Sequence, residues 1–484
     1  MNANSDSKTG RPDCVGDDPR DRRIAELEAQ NAALRARTAA LEARLAKLEQ
    51  LLADRERGNK RQAAPFSKGP PKPDPKTPGR KPGDDYGTKA FRAVPDPDQV
   101  DEVHDSPLPD KCPRCGGGVE QVDVAHQYQA DLPRKPILRR FNVAVGRCTC
   151  CRKRVQGRHA LQTSDALGCC ASQVGPDAQA LAVILNKRLG LSHGKAAALL
   201  SDFFGLSFTR GGVCQVMLRA AKRTEPQRDQ IVEQLQSSPW LVPDETGWRI
   251  GGLSAWLHTA VGPDAVAYLV HSQRGFEAAV ELIGENYGGK LVHDGWSPYD
   301  QFRHADHQTC LAHLIRRCDA MLETCEGVRG AASLAPRKIK ALLLEALSVR
   351  DQRDAGEIMP MAADEAGRGL WERMMEIVGW TKSHAGNERL CKHIWNHRIQ
   401  LFTFLHEEGL DATNWRAEQA IRFAVVNRKV WGGNRTDHGA WAQGVLLTVL
   451  ETVRMRGADI VDWISKALCQ WPRITPLPDM IASG

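Results

Sequence analysis

The chain has 484 residues, room for about three domains at ~150 residues each. Its 42% hydrophobic and 26% charged residues are ordinary for a globular protein. No apolar run approaches the ~20 residues of a membrane span, and residues 1–23 are polar with no signal-peptide core, which predicts a cytoplasmic protein with no membrane partner.

The net charge of +7 is concentrated in two places. Between Arg57 and Arg92 ten Lys or Arg accompany three Asp, and from Arg134 to Arg158 nine Lys or Arg accompany no acid. Clustered cations of this kind suit a polyanion, most simply nucleic acid. The fourteen cysteines include two C-x-x-C pairs and are otherwise scattered, which in a reducing compartment favours metal over disulfides. All 12 tryptophans lie at or after Trp240, so the aromatic-rich core belongs to the C-terminal half.

Residues 1–22 lack apolar periodicity and are expected to be disordered. Over residues 23–56 the series Ile24, Leu27, Asn31, Leu34, Thr38, Leu41, Leu45, Leu48, Leu52 alternates spacings of three and four, the seam of a coiled coil. Asn31 at an a position fits a parallel dimer, because a buried amide pair fixes register. Residues 57–93 follow as a basic linker rich in Pro and Gly that cannot pack.

A small zinc-binding module is predicted over 94–167. Cys112 and Cys115 open it, followed by three glycines, and Cys148 and Cys151 close it. Thiolates two residues apart on glycine-bearing turns match zinc knuckles. Cys150 is the alternative to Cys148 or Cys151 as a ligand, and Cys169-Cys170 is unassigned. Strands are expected at Val122–Gln129 and Ile137–Val145. Residues 176–235 read as helices around a Gly205 turn, with generic hairpin and helix-turn-helix readings equally open. In the second reading Arg210, Gln215 and Arg219, with Lys222 and Arg223, face DNA.

The region 240–450 carries the chemistry. Trp240 to Pro243 reads as a short strand ending on Asp244 and Glu245, and Lys290 to His293 as another ending on Asp294. Two further strands, Ala255–Val261 and Ala265–His271, and a helix from Gly275 lie between them. Three hairpin-linked strands, a helix and a fourth strand open a ribonuclease-H-like α/β domain. A helical insertion is expected at about 319–410. Asn414 then caps a helix bearing Glu418, and residues 451–484 form a helical tail. Asp, Asp and Glu on two strands and a helix suit Mg²⁺ or Mn²⁺, which take carboxylate oxygens and, as a pair ~3.5–4 Å apart, clamp the attacking and leaving oxygens of phosphoryl transfer. Glu245 is read as capping a turn, His293 as a satisfied core histidine, and Cys310, His313 and Cys318 as a buried helix face. Arg422, Arg428 and Lys429, together with Arg316, Arg317 and Arg435, are candidates for holding phosphates.

The order of parts resembles the insertion-sequence-66-type transposases of bacterial mobile elements, within the DDE group. The resemblance rests on the cysteine pairs, Asp244-Glu-Thr, Asp294-Gly-Trp-Ser-Pro-Tyr299, Cys310-Leu-Ala-His313-Leu-Ile-Arg-Arg, Asn414-x-x-x-Glu418-x-x-Ile-Arg422, Asn427-Arg-Lys429 and Gly432-Gly-Asn. Trp296 stands where the family commonly has Tyr. The resemblance implies that Asp244, Asp294 and Glu418 bind catalytic Mg²⁺, and that the substrate is the element's terminal inverted repeats and target DNA in a nucleoid-associated setting. The coiled coil would make a homodimer or higher assembly, with accessory proteins of the same element as further partners. Two other readings share these features: a catalytically dead zinc-containing DNA-binding regulator, and a structure-specific DNA nuclease with the same fold.

Overall fold

The computed structural model describes residues 19–59, 94–130, 132, 135–168, 173–324, 331–379, 385–407, 409–470 and 474–480. Residues 1–18, most of the linker and Cys169-Cys170 lie outside the described residues. The chain divides into two compact units, Met1–Gln129 and Ala130–Gly484. Among the described residues no helix is long and apolar enough to cross a membrane.

In the first unit α1 (Pro19–Asn59) is one 41-residue helix, roughly 60 Å at 1.5 Å per residue. Pro19 sits where a missing N–H costs nothing, and no Gly or Pro interrupts the run before Gly58. Ile24, Leu27, Leu34, Leu41 and Leu45 of the heptad series are exposed. Beyond it, Cys112 begins a tight turn in which Gly116 N donates to the Cys112 carbonyl and Cys112 N to the Gly117 carbonyl. Gly116 takes φ +75°, which a side chain would resist. The strand expected at Val122–Gln129 does not form. Val122 and Val124 stand exposed and no ladder partner satisfies the backbone.

The second unit opens with a small hairpin, β1 (Val145–Arg147) and β2 (Arg154–Gln156). The expected strand at Ile137–Val145 shrinks to its last residue and shifts forward. Cys148, Cys150 and Cys151 occupy the hairpin's turn, closed by Cys148 N to the Lys153 carbonyl and Arg152 N to the Cys148 carbonyl.

Three helices follow: α2 (Pro176–Lys187), α3 (His193–Phe204) and α4 (Arg210–Gln236). The Ser192 hydroxyl caps α3, Gly205 ends it at φ +62°, and Thr209 caps α4. One face of α4, including Val213, Val216, Met217, Ala220 and Ala221, is buried in the same core as Leu241, Ala260 and Leu291 of the sheet described next. The 176–235 segment is therefore built into the body that holds the sheet. Arg223, expected to face DNA, donates to the Leu468 and Thr163 carbonyls.

The sheet has five strands: β3 (Trp240–Ile250), β4 (Leu253–Val261), β5 (Val266–His271), β6 (Lys290–His293) and β7 (Asp306–Thr309), in the order β5-β4-β3-β6-β7. The first three pair antiparallel; after α5 (Phe276–Ile283) β6 joins β3 in parallel, and β7 then pairs parallel with β6. Side chains alternate between two cores. Leu241, Ala260, Ala267 and Leu291 face α2–α5, while Val242, Leu257, Tyr268 and Val292 face the other side. That other side is covered by α6 (Leu311–Thr324), α7 (Leu334–Asp354), α8 (Pro360–Gly379), α9 (Ala385–Asn396), α10 (Thr403–His406) and α11 (Trp415–Trp431). The helices expected at about 319–410 are the end of α6 and α7 to α10 of this block.

Two last helices, α12 (Asp437–Met455) and α13 (Ile460–Gln470), pack into the core, so the expected tail is structural. α12 closes the β5 edge. The Thr448 hydroxyl accepts from Tyr268 N at 2.8 Å and the Thr452 hydroxyl from Val266 N at 3.1 Å, satisfying groups that an open edge would leave bare. A Cβ at Gly444, one turn earlier, would meet the Tyr268 carbonyl at 2.9 Å. Thr448→Val should strand a buried N–H and cost about 1–3 kcal/mol, whereas Thr448→Ser should cost much less. Thermal melting of the two variants checks this.

Candidate active site

The two adjacent carboxylates on β3 face opposite sides of the sheet. The antiparallel register runs without a break from Val242↔Val261 to Ile250↔Leu253, so Asp244 shares the face of Val242 and Trp248, toward α11, and Glu245 takes the other face. The strand does not end at Pro243 as expected, since Asp244 pairs with Thr259 in mid-ladder. What does end there is the parallel pairing with β6, whose last β3 partner is Leu241. Asp244 thus lies just past the point where the sheet opens between β3 and β6.

Asp294 follows β6 directly, as expected. Its Oδ1 accepts from Trp296 N at 2.9 Å, and Gly295 takes φ +84° to make the turn. A relay of two histidines, the buried His293 and the half-buried His307, fixes this loop. Gly295 N donates to His293 Nδ1 at 3.2 Å, which leaves His293 Nε2 to donate to His307 Nδ1 at 3.0 Å and His307 Nε2 to the Phe302 carbonyl at 3.0 Å. Burial, with His307 adding to it, pushes His293 down to about 3, so it stays neutral and the relay keeps one direction. A Cβ on Gly295 would meet the His393 ring of α9 at 3.2 Å, so this position needs glycine for space as well as for φ.

Glu418 lies in the first turn of α11, behind Asn414. Cys310 Sγ accepts from Asn414 N at 3.3 Å and Leu311 N donates to the Ala412 carbonyl, so α6 sets the entry to α11. Cys310 and Cys318 are buried core groups. Arg316 of α6 donates to Glu418 Oε1 at 2.9 Å, with His313 Nε2 3.8 Å from the same oxygen. The i+4 partner Arg422 is exposed and takes no part.

Asp294 and Glu418 both act on Asp244. Burial first, then Glu245, Asp294 and Glu418, raise the Asp244 carboxyl to about 7, while its contact with Glu245 N opposes the rise. Among the described residues no three His, Cys, Asp or Glu side chains form a group that could hold a metal ion.

A sequence model described as Transposase IS66 family matches residues 171–442, more than half of the chain. The chain belongs to this family. The match begins just before α2 and runs into α12, so it takes in the helices α2–α4 together with the sheet. A protein of Sinorhizobium fredii (strain NBRC 101917 / NGR234), described as uncharacterized protein y4qI, is 22% identical over 304 residues, 55% of this chain and 55% of that protein. The chain therefore spans about half the length of that curated relative.

In this IS66-family chain the remaining candidate residues fall into groups. Arg428 reaches β3, with Nη1 3.4 Å from Thr246 Oγ1, two residues past Asp244. Lys429 is exposed beside it, and Arg422 is exposed nearer the start of the same helix. Gln215 and Arg219 are exposed on α4, whereas Arg210 sits at its first turn against Gly194 of α3. Glu245 is a correction: it caps no turn. Its side chain is 4% exposed; Arg274 grips Oε1 through Nη2 at 2.6 Å and Nε at 3.1 Å, and the Tyr299 hydroxyl donates to Oε2 at 2.9 Å. Arg274 also lies over the Trp296 ring, 4.8 Å from its centroid. Nothing in the sequence around Arg274 pointed to this partner 29 positions away. Tyr299 was visible as the last residue of the Asp294 motif.

Proposed function

We propose that the chain is an active DDE transposase that cleaves DNA at the ends of its element and joins them to a target. The observation that carries the reading is that Asp294, at the β6 exit, and Glu418, on α11, both act on the buried Asp244 of β3 and help raise its carboxyl. The strand order β5-β4-β3-β6-β7 supports reading the sheet as ribonuclease-H-like. The residues fit a hard divalent cation: a buried carboxylate is raised to about 7 among like charges, and all three donors are carboxylate oxygens. Asp244, Asp294 and Glu418 would hold Mg²⁺ or Mn²⁺. When bound, such ions activate water or a 3′-hydroxyl and stabilise the leaving oxygen.

The chain's own residues prepare that event. The histidine relay and the Asp294–Trp296 contact fix the second carboxylate before any ligand arrives. Arg316 keeps Glu418 charge-paired until a cation competes for it. Arg428, Arg422 and Lys429 line α11 beside the acids and are the groups for phosphates, with Gln215 and Arg219 a second exposed row on α4. The exposed leucines of α1 support pairing of two chains along that helix.

Incubating the full chain with a labelled element end and Mn²⁺ tests the reading. Cleavage is expected in the wild type and should vanish in Asp244→Asn and Glu418→Gln. A wild type that binds ends and never cuts them would make the chain a DNA-binding regulator; preference for branched DNA would make it a junction nuclease.

The zinc assignment to Cys112, Cys115, Cys148 and Cys151 draws on the two turns. Backbone N–H groups directed at Cys112 and Cys148 lower both thiols, favouring the thiolate that a metal needs. One zinc per chain is expected on release with a thiol-modifying reagent and detection by a chromogenic chelator. Cys115→Ser and Cys151→Ser should each release none. A full zinc count in Cys151→Ser would pass the fourth position to Cys150.

A further inference from the structure

A second site lies at the far end of α11 from Glu418. A cavity of about 710 Å³ opens between the first turns of α3, α4 and α12 and the turn that follows Trp431. That volume is in the range that encloses a small organic ligand, roughly 300–1,000 Å³, and far exceeds a lone phosphate.

Its polar side is built for an anion. The caps Ser192 and Thr209 each satisfy one N–H, on Lys195 and Gly212. The two N–H groups before these, on His193 and Gly194 in α3 and on Arg210 and Gly211 in α4, have no intrahelical partner by helix geometry, and all four residues line the cavity. Two helix starts therefore aim free donors and positive dipole ends into one space. α12 adds a third, through Thr436 and Gly439.

Cations make the case independently of the helices. Lys187 is 4% exposed, lines the cavity, and donates to Gln443 Oε1 at 2.8 Å rather than to a carboxylate. Burial lowers its ammonium to about 8, as expected for a buried charge without a counter-ion. The Arg210 guanidinium packs over the first turn of α3, where a Cβ on Gly194 would be 3.5 Å from Nε. A cation against a positive helix end is unfavourable until an anion joins it. Arg435 is on the wall too, and no Asp or Glu lines the cavity. Met217, Leu218 and Trp431 form an apolar side, and the Trp431 Nε1 is a buried donor without a partner.

We propose that this cavity binds one nucleoside phosphate unit, its phosphate on the first turns of α3 and α4 between Arg210, Arg435 and Lys187, and its base against Trp431. The placement links it to the acids. Trp431 lies 13 residues beyond Glu418 on α11, roughly 20 Å at 1.5 Å per residue, the length of about six nucleotide steps of 3.4 Å. The turn after Trp431 is fastened to the strand that carries Asp244, through Trp248 Nε1 to Asn434 Oδ1 at 2.8 Å and Asn434 N to the Arg249 carbonyl. A DNA strand lying over Asp244 could place a nucleotide here; a free nucleotide could also fill it. The first source rests on the DNA-processing reading above and the second does not.

The test uses the full chain without added Mg²⁺ or Mn²⁺, so that no cleavage contributes. Deoxyadenosine 5′-monophosphate, inorganic phosphate and a fluorescein-labelled single-stranded 12-mer are titrated into the wild type, Arg435→Ala, Arg210→Ala and Lys187→Met. Arg435 is exposed and forms no ion pair among the described residues, so Arg435→Ala keeps the fold, and melting curves check the others. Lys187 is buried and cannot reach DNA bound on the outer surface. Lys187→Met and Arg435→Ala are each expected to weaken at least one nucleotide probe tenfold or more. Weakening of the monophosphate points to a free nucleotide, and weakening of the 12-mer alone to a strand of DNA. Equal affinity of inorganic phosphate and the monophosphate overturns the nucleoside assignment, and unchanged affinities in both variants overturn the site. Asp244→Asn should bind the monophosphate as the wild type does. Failure of cleavage and failure of this cavity are thus read separately.

Discussion

Replacing Asp244 by Asn is expected to stop divalent-cation-dependent cleavage, by at least about a thousandfold, and to raise the melting temperature in metal-free buffer. The first effect follows from removing a charged oxygen where charge must be clamped in the transition state. The second follows from the raised carboxyl. Asp244 titrates at about 7 in the fold against 3.8 free, so the folded chain binds the proton more tightly than the unfolded one. Between about pH 4 and pH 7 stability must therefore fall as pH rises, and the loss is complete above 7. Three pH units correspond to at most about 4 kcal/mol. Asn carries no charge at any of these pH values and escapes that loss. The variant's melting temperature should exceed the wild type's by more at pH 8 than at pH 5. Mn²⁺, which favours the ionised form, should stabilise the wild type more at pH 8 than at pH 5 and leave the variant nearly unmoved. A variant that melts below the wild type at pH 8 without metal would show that Asp244 is not a strained anion.

The sequence made the fold's outline legible because the informative signals were local. Apolar runs marked β3 to β6, and the order of three hairpin-linked strands, a helix and a fourth strand appears as expected. β7 was missed because Asp306-His-Gln-Thr has neither alternation nor apolar content; its Gln308 and Thr309 are buried through hydrogen bonds to the insertion, such as Gln308 Nε2 to the Leu401 carbonyl. β3 was ended too early because Asp-Glu-Thr-Gly reads as a turn. Its continuation depends on the ladder with β4, a non-local partner. The helices α2–α4 looked separable because their amphipathic pattern does not say what covers the apolar face, which is the sheet and α12. At the site, Asp294 at a strand end and Glu418 at a helix start were readable, whereas Asp244, expected at a strand end, lies in mid-ladder. The pairing of Arg316 with Glu418 and that of Arg274 with Glu245 were not readable, since each is fixed by tertiary contact, across 102 and 29 positions.

Arg274→Met is expected to destabilise the protein by about 2–4 kcal/mol and to impair cleavage without touching a proposed metal ligand. Glu245 is enclosed on the α5 side of the sheet and receives three hydrogen bonds, two of them from Arg274. Losing a partner leaves an uncompensated buried charge, which typically costs about 3–5 kcal/mol; Arg274 is itself 49% exposed, which moves the estimate to the lower end. Burial already raises the Glu245 carboxyl, opposed chiefly by Arg274. Without the guanidinium it should rise further, so the variant should lose stability as pH climbs above the ordinary carboxylate value and recover in acid. Glu245→Gln in the same background removes the charge and should regain part of the loss, a coupling that a double-mutant cycle measures directly. The functional effect travels through contact. Arg274 stacks on Trp296, whose N–H orients Asp294, and Tyr299 holds the end of the same loop to Glu245. Cleavage by Arg274→Met should therefore need more Mn²⁺ for half-maximal rate, whereas a purely structural loss would lower the amount of active protein and leave the Mn²⁺ dependence as it was. Glu245 and Asp244, neighbours in sequence, thus lie on the two faces of one strand: one anchors the loop that carries Asp294, and the other is the proposed cation ligand.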